Sequence, residues 1–191
     1  MNKLAALNLA LWIPCVSAAP VDHCGLITQY ELSNTFAGNT IASFGNDYKV
    51  NTCAGTPASA WLGNSGSASE QVVKLRVRNA CTLSLRVTGQ ASGGNQMDPA
   101  IYLTNTCPPR ISQQTINMDS SCLASVDLTG GLGVETINVA VQPGQDYYFF
   151  IDGFLAAMGP YTVEVSGCEL TDGTSGGDPL FNNGFEAANL R

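Results

Sequence analysis

Apolar and polar residues alternate along several stretches of this sequence, and that alternation constrains the fold more than any other feature. In Val73–Arg78 the apolar side chains fall on one face and the basic side chains on the other. Thr82–Val87 repeats the pattern after a short connection. Because successive side chains of a β-strand point to opposite faces, a period of two predicts half-buried strands. We expect these two stretches to be neighbouring antiparallel strands.

The alternation continues towards the C-terminus. Residues 137–141 alternate before a Pro143–Gly144 turn, residues 147–151 alternate after it, and residues 161–165 follow, which predicts a meander of three strands. Asp98–Leu103 predicts a further strand. Weaker strand candidates lie at Gln29–Glu31, Thr35–Ile41 and Tyr48–Thr52. Many short strands between Gly, Pro and Asn turns predict an all-β fold, an antiparallel β-sandwich of jelly-roll-like type.

The N-terminal residues indicate export. Met1–Ala18 has the build of a secretory signal peptide, with a basic start at Lys3, an apolar run over Leu4–Val16 and small residues before the expected cleavage after Ala18. The run is shorter than the ~20 apolar residues of a transmembrane helix, and no later stretch reaches that length. A Trp and a Pro shortly before Cys15 disfavour lipidation of that cysteine.

The cysteines favour disulfides. Of the seven cysteines, Cys15 belongs to the signal peptide and six remain, an even set in an exported chain. These six are Cys24, Cys53, Cys81, Cys107, Cys122 and Cys168. With no Cys-x-x-Cys pair and a single histidine, the sequence offers little for a zinc site. Spacing alone leaves their pairing open. Residues 19–170 are the size of one domain, and residues 171–191 are predicted to be a flexible Gly/Ser-rich linker with a short tail.

Charge narrows the choice of partners. Fifteen acidic residues stand against eight basic ones, for a net charge of −7. An acidic surface repels phosphates, which argues against nucleic acid and anionic lipid as partners. We expect the protein to be secreted, periplasmic or located at the cell surface. Its expected partner is an extracellular protein or a polysaccharide. The sequence does not determine the oligomeric state.

The motifs needed for catalysis are missing from the pattern. A catalytic triad needs a base, and His23 lies beside Cys24 near the new N-terminus. Gly173–Gly177 contains a serine between glycines but lies within the linker, without the strand and helix of a nucleophile elbow. The acidic residues are scattered singly, unlike the paired carboxylates of a glycosidase. We therefore predict a protein that is not an enzyme and has no organic cofactor.

Calcium is the one ion that the sequence leaves open. Asp98 and Asp152 lie near predicted loops and are the metal candidates, with Asp47, Asp119 and Asp127 as further oxygen donors. No contiguous Asp-x-Asp-x-Asp loop is present. The alternative for Asp98 and Asp152 is that they cap turns or accept bonds from backbone amides.

Three aromatic residues are candidate ligand contacts. Tyr148 and Phe150 alternate with the inward residues of their strand, so they belong either to a second buried face or to an exposed surface for sugar or peptide. Trp61, in a Gly/Ser/Asn-rich stretch, is either a contact residue or part of the packing.

Glu70 to Cys168 resembles the bacterial pre-peptidase C-terminal (PPC-like) β-sandwich domain. The matching elements are Val72–Leu75, Cys81–Val87, Asp98–Leu103, the pair Cys107 and Cys122, Tyr147–Gly153 and Gly159–Val163. Phe36–Cys53 is similar to the entry segment of that family. The resemblance implies a non-catalytic β-sandwich, here in a stand-alone exported form.

Chain order and this resemblance together imply the disulfides Cys107–Cys122, Cys24–Cys53 and Cys81–Cys168. The expected function is that of an exported module that binds or positions an extracellular polymer or surface protein. The alternative is a self-associating surface or matrix subunit that uses Phe181–Glu186 as a docking strand. A hydrolase of unrecognised type is the least favoured reading.

Overall fold

The expected strands form, and they are joined by antiparallel ladders in a computed structural model. The structure describes residues 19–42, 45, 47–54, 56–62, 69–110, 115–155 and 157–173. The strands are β1 (Thr35–Asn39), β2 (Tyr48–Cys53), β3 (Thr56–Leu62), β4 (Gln71–Leu75), β5 (Cys81–Gly89), β6 (Ala91–Ser92), β7 (Asn95–Gln96), β8 (Pro99–Thr104), β9 (Ile116–Asn117), β10 (Cys122–Val126), β11 (Val134–Val141), β12 (Tyr147–Gly153) and β13 (Pro160–Ser166). Two 3-10 turns, Cys24–Leu26 and Thr40–Ala42, complete the described elements.

Two antiparallel four-stranded sheets pack face to face, as the all-β prediction requires. The first sheet has the order β1-β13-β5-β11, and the second has the order β10-β8-β12-β4. Alternate residues of each strand point between the sheets, so Leu83, Leu85 and Val87 of β5 are fully buried while Arg86 is exposed. The core between the sheets includes Val73, Leu75, Ile101, Leu103, Phe149, Ile151, Tyr161 and Val163.

A second core lies on the other face of the second sheet. There β2, with β3 and the parallel strand β9, forms a third layer whose Tyr48 and Val50 pack against Tyr102 and Phe150. Strands β8 and β12 are therefore buried on both faces, which explains why the residues of β12 that lie between Tyr147, Phe149 and Ile151 in the sequence are aromatic as well.

The expected pairing of neighbouring strands was wrong. β4 and β5 were predicted to pair, yet β4 lies in the second sheet against β12, and β5 lies in the first sheet between β13 and β11. The predicted meander fails for the same reason, because β11 and β13 belong to the first sheet and β12 to the second. Alternation shows which side chains face a core, but two facing sheets bury the same pattern equally well.

Three disulfides fasten the layers. The structure pairs Cys24 with Cys107, Cys53 with Cys122, and Cys81 with Cys168. The expected Cys24–Cys53 and Cys107–Cys122 pairings were wrong, because Cys24 is bonded to Cys107 and Cys53 to Cys122. Cys53–Cys122 joins the third layer to the second sheet, an arrangement that linear order along the chain does not reveal.

Several expectations concern parts of the chain outside the described residues. These are the signal peptide over residues 1–18, most of the linker and tail from residue 174 onward, and the Phe181–Glu186 docking strand. Within the described residues, no helix is long and apolar enough to span a membrane.

Candidate functional site

A group of charged and aromatic side chains lies at one edge of the second sheet. Lys74 of β4 and Tyr148 of β12 are register partners, which places them side by side at the end of the second core. The backbone N–H of Glu31 donates to the carbonyl of Lys74 (2.8 Å), and this bond brings Tyr30 over β4. Asp146 lies in the turn just before β12. We call Tyr30, Lys74, Arg76, Asp146 and Tyr148 the Tyr30 cluster.

Asp146 holds this cluster together. Its Oδ1 accepts hydrogen bonds from the Tyr30 hydroxyl (2.9 Å) and from Arg76 Nε (2.8 Å), and its Oδ2 pairs with Lys74 Nζ at 2.8 Å. Lys74 Nζ lies 4.2 Å from the centre of the Tyr30 ring, and the Arg76 guanidinium carbon lies 4.8 Å from it. Both cations therefore combine an ion pair with a cation–π contact, which fixes the Tyr30 ring.

The hydrogen bonds of the cluster favour the charged forms of Asp146 and Lys74. Burial raises the pKa of Asp146, but hydrogen bonds from Lys74, Tyr30 and Arg76 outweigh it, and the net pKa is lowered. Burial lowers the pKa of Lys74, but its hydrogen bonds to Asp146 and Tyr30 outweigh that effect, and the net pKa is raised. Within the Tyr30 cluster, two cations stand against one carboxylate, in a chain whose net charge is −7.

Shallow depressions flank the cluster. One has a volume of about 250 Å³ and is lined by Asn105, Thr106, Gln145 and Asp146. The other, of about 160 Å³, has Val21, Ile27, Val72 and Lys74 among its lining residues. The first offers amide, hydroxyl and carboxylate groups, and the second offers an apolar floor beside an ammonium group. Together they can take a polar ligand that also has apolar faces.

The aromatic candidates have different positions. Phe150 is fully buried and stacks on Tyr102 with ring centres 4.6 Å apart, so no ligand reaches it in this structure. Tyr148 is half-buried at the cluster, with Lys74 Nζ 5.9 Å from its ring centre, and its role as a ligand contact stays a prediction. Trp61 falls in β3, and its side chain lies outside the described part of the chain.

Asp98 and Asp152, the calcium candidates, lie at the end of β8 and β12 opposite the Tyr30 cluster. Asp152 is buried, and its Oδ1 accepts a hydrogen bond from the backbone N–H of Gly153 (2.7 Å), which is a bond to a backbone amide and caps no turn. Asp98 has a buried Oδ1 with no hydrogen-bond partner. Among the described residues, no three His, Cys, Asp or Glu side chains are grouped so that they could hold a metal ion.

The other aspartates have separate local contacts. Asp47 pairs with Arg110 (3.0 Å), and Asp119 accepts hydrogen bonds from the backbone N–H groups of Asn51 and Thr52. His23 acts as a cap, since its Nδ1 accepts a hydrogen bond from the N–H of Gly25 (3.1 Å) at the start of the first 3-10 turn.

Sequence reasoning missed most of the Tyr30 cluster. The alternating basic residues of Val73–Arg78 were visible. Of the residues that face them, Tyr30 lies in the weak strand candidate Gln29–Glu31, which does not form a strand, and Asp146 lies in a turn. No local pattern links positions 116 residues apart, as Tyr30 and Asp146 are.

Comparisons with known proteins add little beyond the fold. No protein-family model and no curated protein matches the chain, so the PPC-like resemblance finds no matching model. One similar solved structure is a family 35 carbohydrate binding module from an environmental isolate, with 13% identity, a TM-score of 0.34, and coverage of 80% of this chain and 91% of that one. Another is the K3 cleaved adhesin domain of Lys-gingipain from Porphyromonas gingivalis w83, with 12% identity, a TM-score of 0.31, and coverage of 78% and 97%. These likenesses are too distant to carry a family or an activity over to this chain.

Proposed function

We propose that this chain is an exported, non-catalytic module whose domain, residues 19–170, binds an extracellular polysaccharide through the Tyr30 cluster. The observation that carries the proposal is that Asp146 organises Tyr30, Lys74 and Arg76 into one fixed group beside the half-buried Tyr148. A sugar ring presents C–H faces and a rim of hydroxyls. Aromatic rings pack against the C–H faces, and charged groups form strong hydrogen bonds with the hydroxyls.

Rigidity supports binding at this edge. The charged side chains are about three-quarters buried, with exposed fractions of 21% for Lys74, 24% for Arg76 and 25% for Asp146. Side chains that are already ordered lose little conformational entropy when a ligand arrives, so more of the contact energy appears as affinity. The depression lined by Asn105, Thr106 and Gln145 extends the surface with further hydroxyl and amide groups.

The disulfides and the N-terminal sequence support an extracytoplasmic location. Three disulfides are typical of proteins that fold in an oxidising compartment. We take residues 1–18 as a leader removed after Ala18, and residues 171–191 as a linker and tail. The role of His23 as a turn cap supports a binding module over an acid–base catalyst, because its Nδ1 is engaged with the backbone.

The test is affinity electrophoresis of the exported protein through gels that contain a neutral polysaccharide, xylan, or an acidic one, alginate. We expect retardation in at least one gel. Tyr148→Ala and Lys74→Ala should each weaken the retardation about fivefold or more, as expected for contact residues at the centre of a site.

Arg86→Ala is the matched control for loss of one positive charge. Arg86 is exposed on the outer face of the first sheet, where it pairs with Glu164 (3.2 Å), and its substitution should leave retardation unchanged. Equal weakening by Lys74→Ala and Arg86→Ala would show a non-specific charge effect, and retardation unaffected by Tyr148→Ala would place the sugar elsewhere. Either result contradicts the proposal.

A further inference from the structure

Three exposed leucines lie at the end of the sandwich opposite the Tyr30 cluster. Leu128 is 79% exposed, Leu132 is 41% exposed, and Leu155 is 58% exposed. The first two belong to the loop between β10 and β11, and Leu155 belongs to the loop after β12. The N–H of Leu132 donates to the carbonyl of Met97, and the N–H of Phe154 donates to the carbonyl of Asp98, each at 2.9 Å. The two loops are thus bonded to adjacent residues. We call this surface the leucine end.

The backbone at the leucine end is held in a conformation that leucine rarely adopts. Leu132 has a φ of 63° and Leu155 a φ of 56°. Positive φ is unfavourable for a bulky side chain and is normally left to glycine, yet both positions carry exposed leucine. Since neither side chain is buried enough for packing to explain its presence, the strain indicates a use outside the core.

Glu135 fixes the loop that carries Leu128 and Leu132. Its Oε1 accepts hydrogen bonds from the N–H of Leu128 (2.8 Å), the N–H of Thr129 (2.6 Å) and the hydroxyl of Thr129 (2.7 Å). Glu135 itself is almost fully buried. The leucines are therefore presented by an ordered loop with a buried carboxylate beneath it.

The leucine end is acidic as well as apolar. Asp98, Asp127 and Glu135 lie close enough to interact electrostatically. Burial, together with the smaller effects of the neighbouring Asp98 and Glu135, raises the pKa of Asp127 to about 6. Asp98 also keeps a buried Oδ1 without a hydrogen-bond partner. A partner that brings positive charge would offset the repulsion among these carboxylates.

We propose that the leucine end is a docking surface for a basic, amphipathic segment of a partner protein. Leucine side chains provide the apolar contact, and the half-buried Asp98 and Asp127 select lysine and arginine beside it, with the buried Glu135 adding negative charge beneath the loop. This surface is separate from the Tyr30 cluster, because β8 runs between them from Pro99 to Thr104, a distance of about 17 Å. The module can therefore hold a partner protein and a polysaccharide at the same time.

The test uses a fluorescent amphipathic peptide of about 14 residues made of lysine and leucine, and a matched peptide of glutamate and leucine, with the exported protein titrated into each. We expect fluorescence anisotropy to report binding of the lysine peptide, weakened by added salt, and no binding of the glutamate peptide. Leu132→Gly combined with Leu155→Gly should weaken binding about tenfold or more, and Asp127→Asn about threefold.

Two controls separate this result from unfolding and from non-specific attraction. Glycine suits positive φ, so the double glycine variant should keep the melting temperature of the parent protein. Leu26→Ser removes a leucine that is 50% exposed at the opposite end, near the Cys24–Cys107 bridge, and should leave binding unchanged.

Other outcomes overturn the proposal. Equal binding of both peptides would show an unselective apolar surface, and full binding by the double glycine variant would place the peptide elsewhere. Leucine-dependent binding to phosphatidylcholine vesicles without binding of the lysine peptide would identify a membrane contact instead. Affinity electrophoresis of the same variants in polysaccharide gels tests the Tyr30 cluster separately from the leucine end.

Discussion

Glu70 shows how a single buried carboxyl connects two layers of this protein. Its side chain has no exposed surface, and its Oε1 accepts hydrogen bonds from the N–H groups of Asp47 (2.7 Å) and Tyr48 (2.9 Å). Its Oε2 accepts one from the Tyr102 hydroxyl (3.1 Å). Burial raises the pKa of Glu70 well above its ordinary value, and the nearby Asp152 adds to the rise. The hydrogen bonds lower the pKa but do not cancel these effects.

The pKa direction predicts the effect of Glu70→Gln. A raised folded-state pKa means that the folded protein keeps a proton that the unfolded chain has lost, so stability is present at low pH and falls as pH rises above the ordinary value. Gln keeps an acceptor for the two backbone amides, and its NH₂ group can donate to Tyr102. We expect Glu70→Gln to raise the free energy of unfolding at about pH 8, because the variant buries no carboxylate at this position.

Urea unfolding at about pH 4.5 and about pH 8 measures this prediction, since the difference between variant and parent should grow with pH. Glu70→Ala is the comparison, because it removes the acceptors of Asp47 and Tyr48 and should destabilise at both pH values. A Gln variant less stable than the parent at the higher pH would contradict the assignment of a raised pKa.

Single residues also mark where sequence reasoning reached its limit. The strand period identified Tyr148 and Phe150 as facing away from the main core, and both do. It could not show that a third layer covers Phe150 while leaving Tyr148 half-buried at its edge. Leu132 and Leu155 carried no signal, because a positive φ at a non-glycine residue depends on the surrounding fold.

At the level of elements, the sequence predicts strands better than it predicts their partners. The apolar faces of β5, β11 and β13 follow directly from alternation, and the structure buries them. Which strands are neighbours depends on contacts between distant residues, since β5 lies between β13 and β11 and β4 lies against β12. The pairing of the cysteines depends on distant contacts in the same way. Cys53 and Cys122 are 69 residues apart and meet only because β2 packs over the second sheet.

The Cys81–Cys168 bridge is predicted to hold the end of β13 to the start of β5. It closes a loop of 87 residues, and the loss of that constraint costs about 4–5 kcal/mol in the chain-entropy model. We expect Cys81→Ala combined with Cys168→Ala to lower the free energy of unfolding by an amount of that order. Amide hydrogen exchange should increase at Arg78 and Thr171, whose N–H groups donate to the carbonyls of Glu169 and Arg76 (2.9 Å each) beside the disulfide.

Cys24→Ala combined with Cys107→Ala is the matched comparison, because that bridge closes a loop of 83 residues. The two double variants should lose similar stability, but the second should increase exchange around the first 3-10 turn instead of at Arg78 and Thr171. Loss of protection at the same sites in both variants would contradict a local role for each bridge.

On the scale of the whole molecule, the two ends of the sandwich have opposite character. The Tyr30 cluster is positive and aromatic, and the leucine end is negative and aliphatic, with β8 and β12 running between them. Loops at either end of a β-sandwich can differ in sequence without disturbing the core, which allows a binding surface at each end. On our two proposals, this one small domain would hold a polysaccharide at one end and a partner protein at the other.

The pKa directions across the molecule predict a stability maximum at mildly acid pH. Asp47, Glu70, Asp98 and Asp127 have pKa values raised chiefly by burial, so their contribution is present below their ordinary pKa values and is lost as pH rises, for Asp127 through about 6. The pKa values of Asp119 and Asp146 are lowered despite burial, because hydrogen bonds from their neighbours dominate, so their contribution is present above the ordinary pKa and is lost in strong acid.

The free energy of unfolding should therefore fall on both sides of about pH 4–5, as measured by urea unfolding between about pH 2.5 and pH 8. Asp146→Asn removes the carboxylate that Lys74, Arg76 and Tyr30 share, so in this variant the free energy of unfolding should decrease less towards acid pH. In Asp127→Asn, the free energy of unfolding should decrease less towards pH 8, because the substitution removes the like-charge repulsion from Asp98 and Glu135. A stability that rises steadily from pH 5 to pH 8 would show that the buried carboxyls are compensated in the folded state and would contradict their raised pKa values.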